Sequence, residues 1–442
     1  MSRAQSVLFY AGWLLGLLLA LYYADHQILT GDQTQMLYKG YLGAYQGTWL
    51  SYGNAASAVG NVPGSLSAYL IGLPLLLWDS PYAPMALLLL LRLVSYLLLD
   101  RVVDGILGTR GRFILLVLFW LNPWFLYDSL LYNPAYLCLF AALHCWSAYQ
   151  LRQRPSLLYS ALHLLSIGLA MQLHYSWPLL AVISLVLFYR RLLHLNPWGL
   201  LLALGLLLLS LLPYLQTLLS APEIAQNTDP EARARYIGWG GVHVYPVLKA
   251  ISYWLRYGTW LFSNKLVNGG DFAWVSHWEW LRLVLNYGWK ALIYGVGTAS
   301  AVLVLLAHRF TWQGLKGQWR RPAADQPPVT DRLWLALYAL AALMAVVVSA
   351  VLSPIVFSYW HLIMVFPFAL FPLLLYLDDR LQQRPGWGPR AFWLSAAFCL
   401  LVNLVAATDS RKFSYQADYR SQTLEQVSRW QAQWASQADT QP

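Results

Sequence analysis

Charge is scarce in this sequence, acidic charge most of all. Asp and Glu number 19 against 29 Lys and Arg, and the four types together make up 11% of 442 residues. A soluble domain carries about a quarter charged residues, so an ordinary water-soluble fold is excluded. Cysteine is nearly absent too, at three residues. Cys138 and Cys145 stand seven apart on one helix face and Cys399 lies in another apolar run. That is the pattern of buried thiols, not of a disulfide framework or a metal site. A Gly-rich phosphate loop, zinc-ligand spacing and a Ser nucleophile elbow are all lacking. So are internal repeats and a soluble catalytic domain. The net charge of +10 does not mark a nucleic-acid binder, because the basic residues lie between hydrophobic runs and not on a soluble face.

What is abundant is apolar length. Hydrophobic residues make up 59% of the chain. Runs such as 6-SVLFYAGWLLGLLLALYYA-24 and 198-WGLLLALGLLLLSLLPYLQTLL-219 can span a hydrocarbon core of roughly 30 Å. The first run has no small-residue cleavage site and reads as a retained helix. Many Trp and Tyr sit at the ends of runs, as interfacial belts do. The expected fold class is an all-α integral membrane protein. Its helices fall near 7–24, 83–100, 113–126, 134–151, 156–173, 177–190, 198–219, 285–307, 332–352, 359–377 and 391–408, eleven crossings in all. With the N-terminus inside, Arg3, Arg101, Arg110, Arg112, Arg152, Arg154, Arg190, Arg191, Arg332, Arg380, Arg384 and Arg390 share the cytoplasmic side. The short outer loops 127–133, 174–176 and 353–358 hold no Lys or Arg, as the positive-inside rule requires.

One apolar piece, 66-LSAYLIGLPLLLW-78, is short and contains Pro74. It reads as a helix at the outer interface or a re-entrant segment, since a crossing there would turn the later arginines outward. Residues 25–82 then form a first large outer loop. A second, 220–284, carries 246-PVLKAISYWLRYGTWLF-262 as a further interfacial helix. The segment 321-RPAADQPPVTDR-332 is a loop by its Pro content. The polar tail 409–442 puts Leu424, Val427, Trp430 and Trp434 near one helical face and is expected to lie back on the outer surface.

In lipid, ionisable groups are expensive and usually functional. Arg92 is the one strong charge well inside a predicted helix. No Asp or Glu sits at a helix centre, which argues against an ion-coupled transporter. Polar chemistry collects in the outer loops, first in 25-DHQILTGDQTQMLYKG-40. There Asp32 could take a proton from an acceptor hydroxyl, or serve as a turn residue or helix cap after Gly31. Asp25 and His26 read as a solvated helix end. Arg92 could snorkel or pair with an outer-face carboxylate, or it could bind a phosphate. His174, in 172-QLHYSWP-178, and His361, in 353-SPIVFSYWHLIMVFP-367, read as hydrogen-bonded interfacial histidines, with phosphate contact the functional alternative for His361. Asn133 before Pro134 reads as a helix start.

The order of these features resembles the polyprenyl-phosphate-dependent glycosyltransferases of the GT-C fold. That group includes the protein O-mannosyltransferases and the lipid A aminoarabinose transferases. In 31-GDQ-33 the chain has the position of that family's first-loop acidic pair. The stretch 60-GNVPGSLSAYLIGLP-74 resembles its Pro segment and juxtamembrane helix, and 92-RLVS-95 its Arg-bearing helix. The turns 132-YNP-134 and 172-QLHYSWP-178 and the late motif 359-YWHLIMVFP-367 complete the series over about residues 1–410. The resemblance implies a GT-C bundle over 1–408 in a bacterial inner membrane, with its active site facing the periplasm.

It further implies transfer of a sugar from a polyprenyl-phosphate donor to a hydroxyl of a protein or glycan, with Asp32 as general base and inversion at the anomeric carbon. Arg92, His361, Arg256 and Lys249 would hold the leaving phosphate. Gln33, Asn133, His174 and Tyr359 would orient sugar or acceptor. Gln33 replaces the second acid of the pair, which weakens the case for a divalent metal; no cofactor is indicated. The rivals are a lipid-linked-sugar flippase, an O-antigen polymerase or ligase, for which only 233-RAR-235 is suggestive, and a non-catalytic envelope scaffold.

Overall fold

The computed structural model describes residues 1–56, 60–226, 244–260, 272–319, 329–353, 357–409 and 418–438. The 233-RAR-235 stretch and parts of the expected loops 220–284, 321–332 and 353–358 and of the tail lie outside them. The described helices are α1 (Arg3–Asp25), α2 (Gly31–Gln46), α3 (Leu66–Leu77), α4 (Tyr82–Leu115), α5 (Leu137–Leu151), α6 (Leu157–Met171), α7 (Pro178–Tyr189) and α8 (Pro197–Ser220). They continue with α9 (Val244–Tyr257), α10 (Glu279–Trp319), α11 (Asp331–Leu352), α12 (Phe371–Gln383), α13 (Gly388–Asp409) and α14 (Tyr419–Ala438). Short helical turns connect several of them. Among the described residues seven stretches are long and apolar enough to cross a membrane, and the chain is a multi-pass membrane protein. Helices suit this solvent because their backbone groups are satisfied internally.

The eleven expected crossings redistribute. The pair 83–100 and 113–126 falls within one stretch, Tyr82–Trp120, and 134–151, 156–173 and 177–190 shorten to α5, α6 and α7. At about 1.5 Å per residue, helices of 15, 15 and 12 residues fall short of a full bilayer core. Polar side chains tie the three together. His144 of α5 and His163 of α6 both reach the Ser184 hydroxyl of α7, at 2.8 and 2.9 Å, and His144 Nδ1 meets the Tyr338 hydroxyl of α11 at 2.6 Å. The expected helix 113–126 stops at Trp120, because Asn122 caps a new short helix with Pro123 in its first turn. Proline there lacks a donor and cannot continue the preceding helix.

α4 changes direction at Gly108, whose φ of 64° and ψ of −159° suit glycine alone. Arg112 pairs with Asp100 at 2.7 Å. Twelve residues of straight helix would hold them about 18 Å apart, so the chain folds back on itself here. Asp378, within α12, takes both Arg110, at 2.6 Å, and Arg332. Arg152 pairs with Asp331 at 2.9 Å. These carboxylates gather one end of the bundle.

The other end is built on the first loop. Strands β1 (Tyr52–Ala56) and β2 (Gly60–Pro63) form an antiparallel hairpin between α2 and α3. α2 crosses α3 where a Cβ on Gly40 would overlap Ile71 and the Gly72 amide. α3 buries Ala68, Ile71 and Leu75 against this support and leaves Leu73, Leu76 and Leu77 exposed. α14 covers α2, with Trp430 against Tyr38 and Tyr41 at ring separations of 5.4 and 6.1 Å. Val427, Trp430 and Trp434 are buried and Leu424 is exposed.

Replacing Gly108 with Ala should cost about 1–3 kcal/mol through backbone strain alone, since nothing lies within 4 Å of the added carbon. Thermal unfolding of the purified protein in detergent should show a clear fall in Tm. Gly205→Ala, in open space within α8, should leave Tm unchanged or raise it slightly.

Candidate active-site cleft

α2 begins at a fixed point. Thr30 is its N-cap, and Gln33 Oε1 accepts from the Thr30 amide and hydroxyl, both at 2.8 Å. The sequence 30-TGDQ-33 is thus a capping box. Asp32 lies in the first turn and is not the cap. Its backbone carbonyl accepts from Asn54 Nδ2 of the hairpin at 2.8 Å. Its carboxylate finds no hydrogen bond or ion pair among the described residues. The side chain is open to solvent, yet the protein massed around it removes enough water to raise its pKa above the ordinary carboxylate value.

Asp32 stands in a cleft of about 270 Å³ lined by Ile28, Thr30, Gln33, Leu130, Tyr132, Tyr359 and Trp360. Three chain segments meet there. Gln33 joins two of them: its Nε2 donates to Gln27 Oε1, which also accepts from the Leu131 amide at 3.1 Å. Tyr132 leads inward, donating its hydroxyl to the fully buried Asp128. Burial beside that carboxylate pushes the Tyr132 pKa well above its usual value.

Arg92 lies behind this wall, 2% exposed. It stacks on Phe125 at 3.9 Å, approaches Asp128 at 3.7 Å and donates to the carbonyls of Phe125, Asp128 and Ala135. A guanidinium so engaged, and sealed from solvent, does not reach the cleft. The expectation that Arg92 holds a donor phosphate gives way here to its alternative, pairing with a carboxylate.

The far wall continues into a basic group. Tyr359 packs on Trp124 at 5.7 Å, and its carbonyl accepts from Tyr257. Arg256 of α9 lies 5.9 Å from the Trp124 ring and 5.3 Å from Tyr253. Its Nε and Nη2 are buried with no partner among the described residues, and desolvation lowers its pKa. Lys249 lies seven residues earlier, two turns along the same face, and its charge is felt at His361. His361 packs on Trp360 at 5.5 Å and on His174 at 5.6 Å, and its Nδ1 accepts from the Ser358 amide at 2.8 Å. Burial pushes His174 down to about 4, so it is neutral at pH 7. Asn133 donates to the Leu173 carbonyl at 2.8 Å, beside His174. Asp32, Gln33 and Tyr359 therefore share the cleft; Arg256 connects to its Tyr359 wall through Trp124, and His361, packed on Trp360, connects His174 and Lys249 to it. Among the described residues no three His, Cys, Asp or Glu side chains converge.

No family model matches this sequence, and no curated protein matches it either. Two solved structures do match. One is ArnT from Cupriavidus metallidurans bound to undecaprenyl phosphate, with a TM-score of 0.52 and 15% identity over 97% of this chain and 70% of that one. The other is the same ArnT in the apo state, with a TM-score of 0.53 and 14% identity over 96% and 68%. The chain has the GT-C fold. The likeness spans 97% of this chain.

Sequence reasoning missed Asp128, Tyr132, Gln27 and Trp124. The available signal was 121-LNPWFLYDSLLYNP-134, an aspartate framed by two Asn-Pro steps, each a helix start. Arg92→Met should leave the Asp128 carboxylate buried without its cation, at a cost of about 3–5 kcal/mol. Membrane levels and Tm should both fall, and the double variant Arg92→Met with Asp128→Asn should recover part of the loss.

Proposed function

We propose that this chain is a glycosyltransferase that moves a sugar from a polyprenyl-phosphate donor to the hydroxyl of a protein or glycan acceptor. The reading places the active site on the periplasmic side of a bacterial inner membrane. What carries it is the presence, on a GT-C fold, of a first-loop carboxylate and an arginine with buried donors that have no partners among the described residues, linked through the aromatic rings of Tyr359 and Trp124. The undecaprenyl phosphate bound by ArnT supports the choice of carrier.

Asp32 is the general base in this scheme. It takes the acceptor's O–H proton while that oxygen bonds the anomeric carbon. The bond from that carbon to the phosphate oxygen breaks, and the lipid phosphate leaves with the electron pair. One displacement inverts the carbon. Arg256 and Lys249 stabilise the charge that develops on the phosphate, and His361 adds a hydrogen-bond contact. Tyr359 and Gln33 line the path and orient the sugar, and His174 with Asn133 shapes the pocket behind them. Arg92 acts at one remove, by fixing the segment that carries Tyr132.

Asp32→Asn, at matched membrane levels, should reduce transfer by at least about 10²-fold. Mass spectrometry should find the lipid-linked sugar accumulating and glycosylated envelope material lost. Unchanged pools would remove Asp32 from the chemistry. The base works only when ionised, and its pKa is raised. Transfer should therefore fall as the medium is acidified through a value above the ordinary carboxylate pKa of about 3.9, and this acid limb should vanish in Asp32→Asn. Arg256→Ala should weaken binding of undecaprenyl phosphate about 10-fold or more, the worth of one charge-assisted hydrogen bond, as measured by titration of the protein in nanodiscs.

A further inference from the structure

Gln422 of α14 makes two hydrogen bonds to the segment that leads into α2. Its Nε2 donates to the Gln27 carbonyl at 3.1 Å, and its Oε1 accepts from the Leu29 amide at 3.2 Å. One side-chain amide that binds a carbonyl and an amide on either side of Ile28 fixes both the position and the orientation of that segment. Gln27 is itself fully buried. Its side chain donates to the Ala24 carbonyl at the end of α1, and accepts from Gln33 in α2 and from the Leu131 amide. One residue thus touches α1, the capping box of α2, the 130–132 wall and, through its backbone, α14. Ile28, Thr30, Asp32, Gln33, Leu130 and Tyr132, all cleft-lining, hang from this junction.

α14 is anchored independently of these bonds. Tyr419 donates to the Pro81 carbonyl at 2.8 Å, and Trp430 and Trp434 pack on Tyr38. Removing the Gln422 amide would leave the helix in place and free only the segment beneath it. Asn54 holds the Asp32 backbone carbonyl from the hairpin side, but the Asp32 side chain has no protein partner among the described residues, so its placement depends on how the 27–30 segment seats the first turn of α2.

We propose that Gln422, acting through Gln27, is the positioning residue that sets the direction of the Asp32 carboxylate in the cleft. The proposal rests on Asp32 being the base. α14 then contributes to turnover without touching substrate.

The test compares wild type, Gln422→Ala and Asp32→Asn as full chains in nanodiscs and in native envelope preparations that hold their own donor and acceptor. Gln422→Ala should speed amide hydrogen exchange at residues 28–33 by about 10-fold or more, and leave exchange in α14 and in α4 unchanged. Its affinity for undecaprenyl phosphate should equal that of wild type, while transfer falls by about 10-fold or more. Its acid limb should move to lower pH as Asp32 gains water. If transfer is unchanged, or falls with exchange at 28–33 unaltered, the positioning role is overturned. Full activity in Asp32→Asn would overturn the general-base reading instead. A loss in Asp32→Asn with normal Gln422→Ala would keep that reading and discard only this one.

Discussion

The cleft depends on a cation and an anion that never meet water. Arg92 and Asp128 are both buried, and Arg92 also gathers carbonyls from Phe125, Asp128 and Ala135. Those carbonyls come from a stretch broken by two Asn-Pro steps, with too little regular helix to satisfy itself. In an apolar surround each unmet carbonyl would be costly. The guanidinium answers several at once, which a lysine ammonium could not do in the same planar geometry. From this hub Asp128 orients Tyr132, and the neighbouring Leu131 amide reaches Gln27 and so the cap of α2. A charge in the interior thereby sets the shape of a surface several residues away.

The two ends of the bundle use charge differently. At the Arg110 end every described buried carboxylate is neutralised: Asp378 by two arginines and Asp100 by one. At the cleft end Asp32 and Arg256 face no such partners among the described residues. Paired charges gain stability through geometry; unpaired ones at the edge of a low-dielectric region keep their capacity to act on something else. The scarcity of acidic residues makes this contrast legible, because few carboxylates are left over once the paired ones are set aside.

Much of this could be read beforehand, and the limits have physical causes. Apolar length and the order of outer motifs led to a GT-C-like membrane bundle, and the solved structures give that fold. The helix bounds drawn from apolar length differ in places: α5, α6 and α7 are shorter than expected, and His144, His163 and Ser184 tie them together through contacts that no hydropathy pattern reveals. The 113–126 helix failed at Pro123, whose breaking effect was available in the sequence. Asp32, Gln33 and Tyr359 were named from motifs and lie in one cleft. Arg92 was named for its charge, but where a guanidinium points depends on carbonyls more than 30 residues away. Asp128 was hidden because one aspartate in a short loop has no periodicity to reveal it.

The Gln422 contact also places the cleft in time. Leu29 and Gln422 are 393 residues apart. At about 5–20 residues per second, synthesis needs roughly 20–80 s to bridge them. Through that interval the first loop has already emerged from the translation machinery, with its capping box formed but its outer brace absent. A nascent chain of this protein would thus carry Asp32 in a loosely held loop while the rest of the bundle inserts. The bonds from Gln422 to the 27–29 segment form only once α14 has been made.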